Sequence, residues 1–166
     1  MNATNPEPPF EDQALIDLVA KVWRSCLELD TVDTMPDGAE DPPPTAVTAA
    51  IALNGAWDGH LRITMPVEPA AEIASLMLAI DREDVAEQDM ADAAGELVNI
   101  IGGNLRGLLP QPNQLGLPVV AVGRRGVMRF PASRPSLTVT VSWKGLPIEF
   151  CLLQAVARRE WAVASH

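Results

Sequence analysis

The sequence predicts an α+β domain in which helices pack as a layer on a mostly antiparallel sheet. Segments with helical or strand periodicity occur in runs rather than as a repeating β-α-β unit: one helix, two strands, two helices, then several strands. The 166 residues suffice for one domain with a substantial core, and the hydrophobic fraction of 48% is typical of a globular protein. We therefore expect residues 1–166 to form a single domain.

The first 44 residues predict one helix between two irregular segments. Residues 1–9 are polar and contain three prolines, which indicates a loose lead-in. From Phe10 to Leu29, apolar residues recur every three and four positions, as in an amphipathic helix. Residues 30–44 are acidic and end in three prolines. They are predicted to form an exposed loop, not a domain boundary, because the preceding segment is too short to fold alone.

The middle of the chain predicts a hairpin followed by two helices. Thr45–Leu53 and His60–Met65 are strand-like, and the segment between them holds Asn-Gly and Asp-Gly pairs, which favour turns. Glu68–Ile80 has helical spacing, with Pro69 in the first turn, where proline is tolerated. After an acidic connection, a second helix is expected from about Gln88 to Leu109, with prolines and glycine ending it.

The last third of the chain is β-like. Four segments are candidate strands: Pro118–Val122, Gly126–Phe130, Leu137–Trp143 and Ile148–Ala155. Lys144-Gly145 suits a hairpin turn. The segment 123–126 (Gly-Arg-Arg-Gly) is read as another turn, with a basic contact to a partner as the alternative. Arg158–His166 is expected to be an exposed extension, and the tryptophans at 23, 57 and 143 to be packing residues.

Charge and composition limit the classes of partner. The formal net charge is −10, and the basic clusters are too short to follow a phosphate backbone. We therefore expect no nucleic acid and no membrane as partner, whereas a protein with a basic rim would suit this surface. No signal peptide or long apolar run is visible, so a cytoplasmic location is expected. Cys26 and Cys151 are expected to be buried free thiols, with a disulfide as the alternative.

The sequence lacks the residues that several kinds of catalytic site require. With His60 and His166 as its two histidines, the chain offers no zinc ligand set and no Ser-His-Asp or Cys-His arrangement. The segment Gly102-Gly103-Asn104 is not a phosphate-binding loop, because it lies within a predicted helix and no lysine follows it. No metal site is expected in this chain, which lacks the usual groups for hydrolysing a substrate alone.

The segment Asp92–Asn104 combines helical spacing with three glycines and two asparagines, which helices disfavour. At about 100° per residue, one side of this helix carries Asp92, Glu96, Asn99, Gly103 and Arg106. The opposite side carries apolar residues: Met90, Ala94, Leu97, Val98, Ile101, Leu105 and Leu108. A carboxylate and a carboxamide thus lie one turn apart, beside glycines that leave room for another surface.

These residues also have purely structural explanations. Asp92 suits the helix dipole or a solvated surface, and Glu96 alone would be an ordinary surface residue. Gly102 and Gly103 would also permit close packing of the helix on the sheet, and Arg106 is expected to form a surface ion pair. An exposed asparagine within a helix is harder to explain as structure, so Asn99 favours a functional role.

The pattern Asp92-x-x-x-Glu96-x-x-Asn99, followed by Gly103 and later Pro118, resembles the signature of the CheC/CheX-type chemotaxis phosphatases. The hairpin that precedes it, the helix containing Met77 and the strands that follow fit the same layout. The resemblance covers roughly residues 45–156. The single copy of the motif is similar to CheX-like members, and the spacing from Asn99 to Pro118 is shorter than the family's usual one.

The resemblance implies a CheX-like fold and a phosphatase that acts on the phospho-aspartate of a CheY-like receiver domain. Asn99 would orient the attacking water, and Glu96 would pair with the regulator's active-site lysine. Asp92, Gly103 and Arg106 would contact the partner. Mg²⁺ would be held by the regulator, and this chain would bind no cofactor. A homodimer is expected. The alternative is a non-catalytic adaptor, CheX-like or flagellar-switch-like, that binds a receiver domain without hydrolysis.

Overall fold

The fold comprises three helices and one seven-stranded antiparallel sheet in the part of the chain that the structure, a computed structural model, describes. The described residues are 7–27, 33–34, 45–124 and 128–156. The helices are α1 (Asp12–Leu27), α2 (Val67–Leu78) and α3 (Glu87–Arg106), with a 3₁₀ turn at Arg82–Asp84. The strands are β1 (Asp33–Thr34), β2 (Thr45–Gly55), β3 (Gly59–Pro66), β4 (Asn113–Leu115), β5 (Val119–Arg124), β6 (Ser133–Trp143) and β7 (Leu146–Ala155). The predicted α+β class is confirmed.

Strand β2 pairs with both of the strands that directly follow α3. The sheet has the order β1-β6-β7-β3-β2-β4, and β5 also pairs with β2. The last residues of β2 pair with β4, where Leu53 lies opposite Leu115, and its first residues pair with β5, where Ala49 lies opposite Val120. The chain therefore returns twice to the same strand after α3.

The helices pack on one face of the sheet. Within β2, Val47, Ala49, Ile51 and Leu53 are fully buried and alternate with residues of the other face. Ile51 lies beneath α3. On the same face, Phe150 lies 6.1 Å from Trp23 of α1, measured between ring centroids. This single core explains why Trp23, Trp57 and Trp143 are all buried, as predicted.

The hairpin between β2 and β3 has the predicted turn. The backbone N–H of Gly55, at φ 148°, donates a hydrogen bond of 2.9 Å to the Asp58 carboxylate. Nearby, the buried Asn113 donates from Nδ2 to the carbonyl of Trp57 at 2.8 Å. This bond ties the start of β4 to the hairpin and therefore fixes the segment that follows α3.

Two predictions in the N-terminal part are wrong. Asp33–Thr34 was expected within a loop but forms β1, paired with Ser142 and Val141 of β6. A free sheet edge can pair with almost any extended backbone, so the acidic sequence gives no sign of this strand.

Cys26 is exposed rather than buried, although Cys151 is buried as expected, and both are free thiols. The periodicity of a helix predicts the direction in which a side chain such as Cys26 points. It does not predict whether a neighbouring element extends far enough to cover that side chain. Most of the predicted loop 30–44 and the segment 1–6 lie outside the described residues.

The helix before the C-terminal strands ends earlier than predicted. It stops at Arg106 rather than Leu109, and the amide of Gly107 donates to the carbonyl of Asn104 in a tighter last turn. Leu108, expected on the buried side, is consequently 42% exposed. Glycine is a poor helix former, and Pro110 follows closely, so the stop comes before the prolines themselves.

The C-terminal predictions are right for the long strands and wrong around residues 113–130. Gly123 and Arg124, read as part of a turn, continue β5 and pair with Ala46 and Thr45. Residues 128–130 form no strand, and the short β4 was not predicted. The Lys144-Gly145 turn is confirmed, with φ of 51° and 78°. Residues 125–127 and 157–166, which include Trp161 and the whole of the predicted extension, lie outside the described residues.

Candidate functional site

Helix α3 is anchored at its start and along its whole buried side. The Asp89 carboxylate accepts a hydrogen bond of 2.8 Å from the backbone N–H of Ala86, the residue that precedes the helix. Eight residues of α3 are buried: Met90, Ala93, Ala94, Leu97, Val98, Ile101, Gly102 and Leu105. The helix is therefore a rigid base for whatever its other side carries.

The five residues singled out in the sequence share the exposed side of α3. Asp92, Glu96, Asn99, Gly103 and Arg106 are all exposed. We call this surface the Glu/Asn face. The apolar and polar residues of the helix thus lie on opposite sides, as expected. Leu108 is the exception, because it lies beyond the end of the helix.

Glu96 and Asn99 have no side-chain hydrogen bond or ion pair with any residue of the described part of the chain. As residues three apart on a helix, their Cβ atoms lie about 5–6 Å from each other. The nearby Asn104 differs, since its Nδ2 donates to the carbonyl of Ile100 at 2.9 Å. The carboxamide of Asn99 therefore keeps both its donor and its acceptor for a ligand.

Asp92 and Arg106, at the two ends of the Glu/Asn face, are held differently. The Asp92 carboxylate accepts a hydrogen bond of 2.8 Å from Gln88, one turn before it. Arg106 was expected to form an ion pair, but it forms none with the described residues. The reason lies in its helical neighbours, because the residues three and four positions before it are Gly103 and Gly102.

The three glycines of α3 have different surroundings. A Cβ placed on Gly102 would lie 2.9 Å from Cγ2 of Ile51, and one on Gly95 would lie 3.4 Å from Cγ2 of Val120. A Cβ on Gly103 would lie 3.8 Å from Cδ1 of Leu115, which is an ordinary van der Waals distance. Packing on the sheet thus explains Gly102 and, less strictly, Gly95. It does not explain Gly103.

The segment after α3 runs back along the helix beside the Glu/Asn face. Leu115 lies next to Gly102 and Gly103, and Pro118 and Val120 lie next to Gly95. The chain therefore passes antiparallel to the helix, over about 12 Å from Gly103 to Gly95. The sequence did not predict this contact. One feature of the sequence was consistent with this contact: Gly95 and Gly102 are seven residues apart, which places both on the flank of the helix next to Asn99.

Other reactive groups lie away from this face. No cluster of three or more potential metal ligands occurs among the described residues. Burial lowers the pKa of His60, whose ring lies against Phe130 with a centroid distance of 4.8 Å and an angle of 53° between the ring planes. Burial raises the pKa of the Cys151 thiol, so the thiolate is disfavoured at neutral pH. Neither group supplies a nucleophile or base to α3.

The fold and the exposed helix face together define a class of protein. The family model "Chemotaxis phosphatase CheX" matches residues 47–142, which is more than half of the chain. This chain belongs to the CheX family. A comparison with curated protein sequences gave no match.

Solved structures share the fold at low sequence identity. CheX in the CheX–CheY–BeF3–Mg²⁺ complex from Borrelia burgdorferi is 21% identical, with a TM-score of 0.68 over 86% of this chain and 96% of that one. Chemotaxis protein CheX from Vibrio vulnificus is 20% identical, with a TM-score of 0.65 over 84% of this chain and 94% of that one. FliY from Thermotoga maritima is 17% identical, with a TM-score of 0.56 over 85% of this chain and 84% of that one.

The helices give no indication of a membrane segment. None of those in the described ranges combines the length and the apolar character that crossing a bilayer requires.

Proposed function

We propose that this protein is a phosphatase that accelerates dephosphorylation of the phospho-aspartate of a CheY-like response regulator. One observation carries the proposal: Glu96 and Asn99 lie one turn apart on a rigid, exposed helix face, with no partner among the described side chains. Membership of the CheX family supports the reaction class. The B. burgdorferi CheX of similar fold forms a complex with CheY.

The chemistry requires positioning more than a strong base. Hydrolysis of a phosphoryl group needs a water in line with the bond that breaks, together with neutralisation of the developing charge. The Asn99 carboxamide would accept a hydrogen bond from this water and donate one to a phosphoryl oxygen. Because Asn99 has no competing bond within the described structure, it would enter the regulator's site without first losing a partner.

Glu96 would set the docking register. Its exposed carboxylate would pair with the lysine of the regulator's active site, and it lies a fixed helical turn from Asn99. The lysine and the Mg²⁺ would both come from the regulator, which fits a helix face that has no histidine or cysteine. The complete site would form only in the complex.

The remaining residues of the Glu/Asn face would shape the contact. Gly103 is exposed and its missing side chain is not required by packing, so we infer that it leaves space for the regulator's backbone. Asp92 and Arg106 would contact the partner at the two ends of the face. The Arg106 guanidinium, which has no carboxylate one turn before it, would be available to an acidic group of the regulator.

The decisive experiment measures phosphate release from a panel of phosphorylated receiver domains of the same genome, with and without this protein. Acceleration of one or a few of them, lost in Asn99→Ala, would support the phosphatase. Binding of a receiver domain with an unchanged phosphoryl lifetime would favour the adaptor instead. The expected homodimer is a separate prediction, and sedimentation of the protein in solution would test it.

A further inference from the structure

An open groove of about 550 Å³ lies between the start of α1 and strand β6. We call this space, lined by residues 7–8, 10–13, 16 and 136–137, the α1/β6 groove. In the sheet, β7 and β3 separate β6 from β2, the strand beneath α3. Three strand spacings correspond to about 14 Å. The groove is therefore a separate surface from the Glu/Asn face.

The floor of the α1/β6 groove is apolar. Phe10, Ile16 and Leu137 line the groove, are partly buried and pack against the core. Their apolar surface is thus fixed in position but incompletely covered. An apolar side chain of a bound molecule would be stabilised there, because it and the floor would both leave water.

The rim of the groove is negatively charged. Glu7, Glu11 and Asp12 line it and are exposed. Glu7 forms an ion pair of 3.0 Å with Arg134, whereas Glu11 and Asp12 form no ion pair with any described residue. The first 20 residues of the chain contain no lysine or arginine. The charge of this rim is therefore complementary to a cationic ligand.

The backbone of β6 beside the groove is unpaired on its outer side. Strand β6 pairs with β7 along one side, and on the other side its described pairing is with β1, opposite Val141 and Ser142. At Ser136 and Leu137, the outer side has no strand partner within the described ranges. An extended segment gains main-chain hydrogen bonds along such an edge, and its alternate side chains enter neighbouring pockets. This arrangement favours an extended peptide as the ligand.

We propose that the α1/β6 groove binds an extended segment of another protein in which an apolar side chain is flanked by lysine or arginine. The apolar side chain would lie on Ile16 and Leu137, and the basic side chains would approach Glu11 and Asp12. This contact does not depend on the proposed phosphatase activity. The protein would have two interaction surfaces, one on α3 and one beside β6.

The test uses a short fluorescent peptide with blocked ends, in which one leucine lies between two pairs of arginines. We expect its Kd, measured by fluorescence anisotropy, to rise about fivefold or more in the variant Glu11→Gln, Asp12→Asn, because two charge pairs are lost. The matched control is Glu83→Gln, Asp84→Asn, which makes the same change of net charge at exposed positions of the 3₁₀ turn. The control should bind the peptide like the wild type. Equal weakening in both variants would overturn the proposal, since only the total charge would then attract the peptide.

A second peptide, with serine in place of the leucine, tests the apolar floor. Its Kd for the wild-type protein should be at least about tenfold higher, because the leucine side chain is no longer buried. In an NMR titration with the leucine peptide, the amide signals of Gln13 and Leu137 should shift. An unchanged Kd for the serine peptide, or shifts confined to other surfaces, would overturn the groove as the binding site.

Thermal unfolding should show that the wild type and both charge variants are folded. Sedimentation of the same proteins tests the other occupant, a second copy of this chain. If the wild type is a dimer that Glu11→Gln, Asp12→Asn dissociates and the control does not, the second copy fills the groove, and the proposal of a different partner protein is overturned. An unchanged oligomeric state together with weaker peptide binding would support it.

Discussion

Gly102 of α3 packs directly on Ile51 of β2: a Cβ at Gly102 would lie 2.9 Å from Cγ2 of Ile51, closer than two carbon atoms normally approach. The next residue, Gly103, has no comparable neighbour, with 3.8 Å to Leu115. Two adjacent glycines of one helix therefore have different reasons for being glycine. Gly102 allows the helix to pack on the sheet. On the proposed function, Gly103 leaves space for the partner that docks on the Glu/Asn face.

This contrast predicts opposite effects of the same substitution. Gly102→Ala should lower the free energy of unfolding by about 1–2 kcal/mol, because the β-branched Ile51 side chain is stiff and buried and cannot move aside easily. Gly103→Ala should raise it by up to about 1 kcal/mol through better helix propensity. Urea unfolding of both variants measures the difference.

The second part of the prediction concerns activity. Although Gly103→Ala should be the more stable variant, we expect it to dephosphorylate the regulator at least about tenfold more slowly at low substrate concentration, because the new methyl group meets the docked partner. Full activity in a stabilised Gly103→Ala variant would show that this position has no role in docking.

Asn99→Ala should remove the acceleration of regulator dephosphorylation, with a loss of at least about a hundredfold in kcat, while the helix stays folded. The matched control is Asn104→Ala, an exposed asparagine of the same helix whose side chain bonds to Ile100 of its own backbone. The control should keep its activity. Equal activity in both variants, measured as phosphate release, would remove Asn99 from the mechanism.

Glu96→Lys should weaken binding to the receiver domain by at least about tenfold, because a favourable charge pair with the regulator's lysine becomes a repulsive one. The effect should decrease as ionic strength rises. The control is Glu83→Lys, which makes the same change of net charge at an exposed position in the 3₁₀ turn before α3. If both variants bind alike, only the total charge matters, and the register role of Glu96 is wrong.

His60 should make stability depend on pH. Burial lowers its pKa below the ordinary value of 6.5, so the unfolded chain takes up this proton at a higher pH than the folded chain does. The contribution of neutral His60 is therefore complete above pH 6.5 and is lost as the pH falls through 6.5 towards the lower folded value. The urea midpoint should decrease between pH 7.5 and pH 5.5 by less in His60→Gln than in the wild type. An identical decrease in both proteins would contradict this explanation.

The sequence predicted those parts of the fold that depend on local pattern. The alternation in β6 and the three-and-four spacing in α3 correspond to real elements, since one side of each is buried in the same core. The separation of Glu96 and Asn99 from the apolar side of the helix followed from the same periodicity. Partner-binding and catalytic roles for these residues stay predictions, as does the homodimer.

The errors arose where contacts between distant segments decide the structure. Strand β1 exists because β6 offers a free edge, and β4 and β5 exist because β2 accepts two partners in succession. Nothing in the residues at 33–34 or 113–115 encodes those partners. For the same reason the two glycines Gly102 and Gly103 could not be told apart, because the distinction depends on the position of Ile51.

Val120 of β5 lies opposite Ala49 of β2 and beside Gly95 of α3, so the register of this strand supports the flank of the helix that carries Glu96 and Asn99. On the proposed function, the acting side chains need no loop to become ordered before the regulator docks, because the paired sheet already holds the helix in place. Substitutions that shift β5 along β2 would therefore alter the reaction without changing either acting residue.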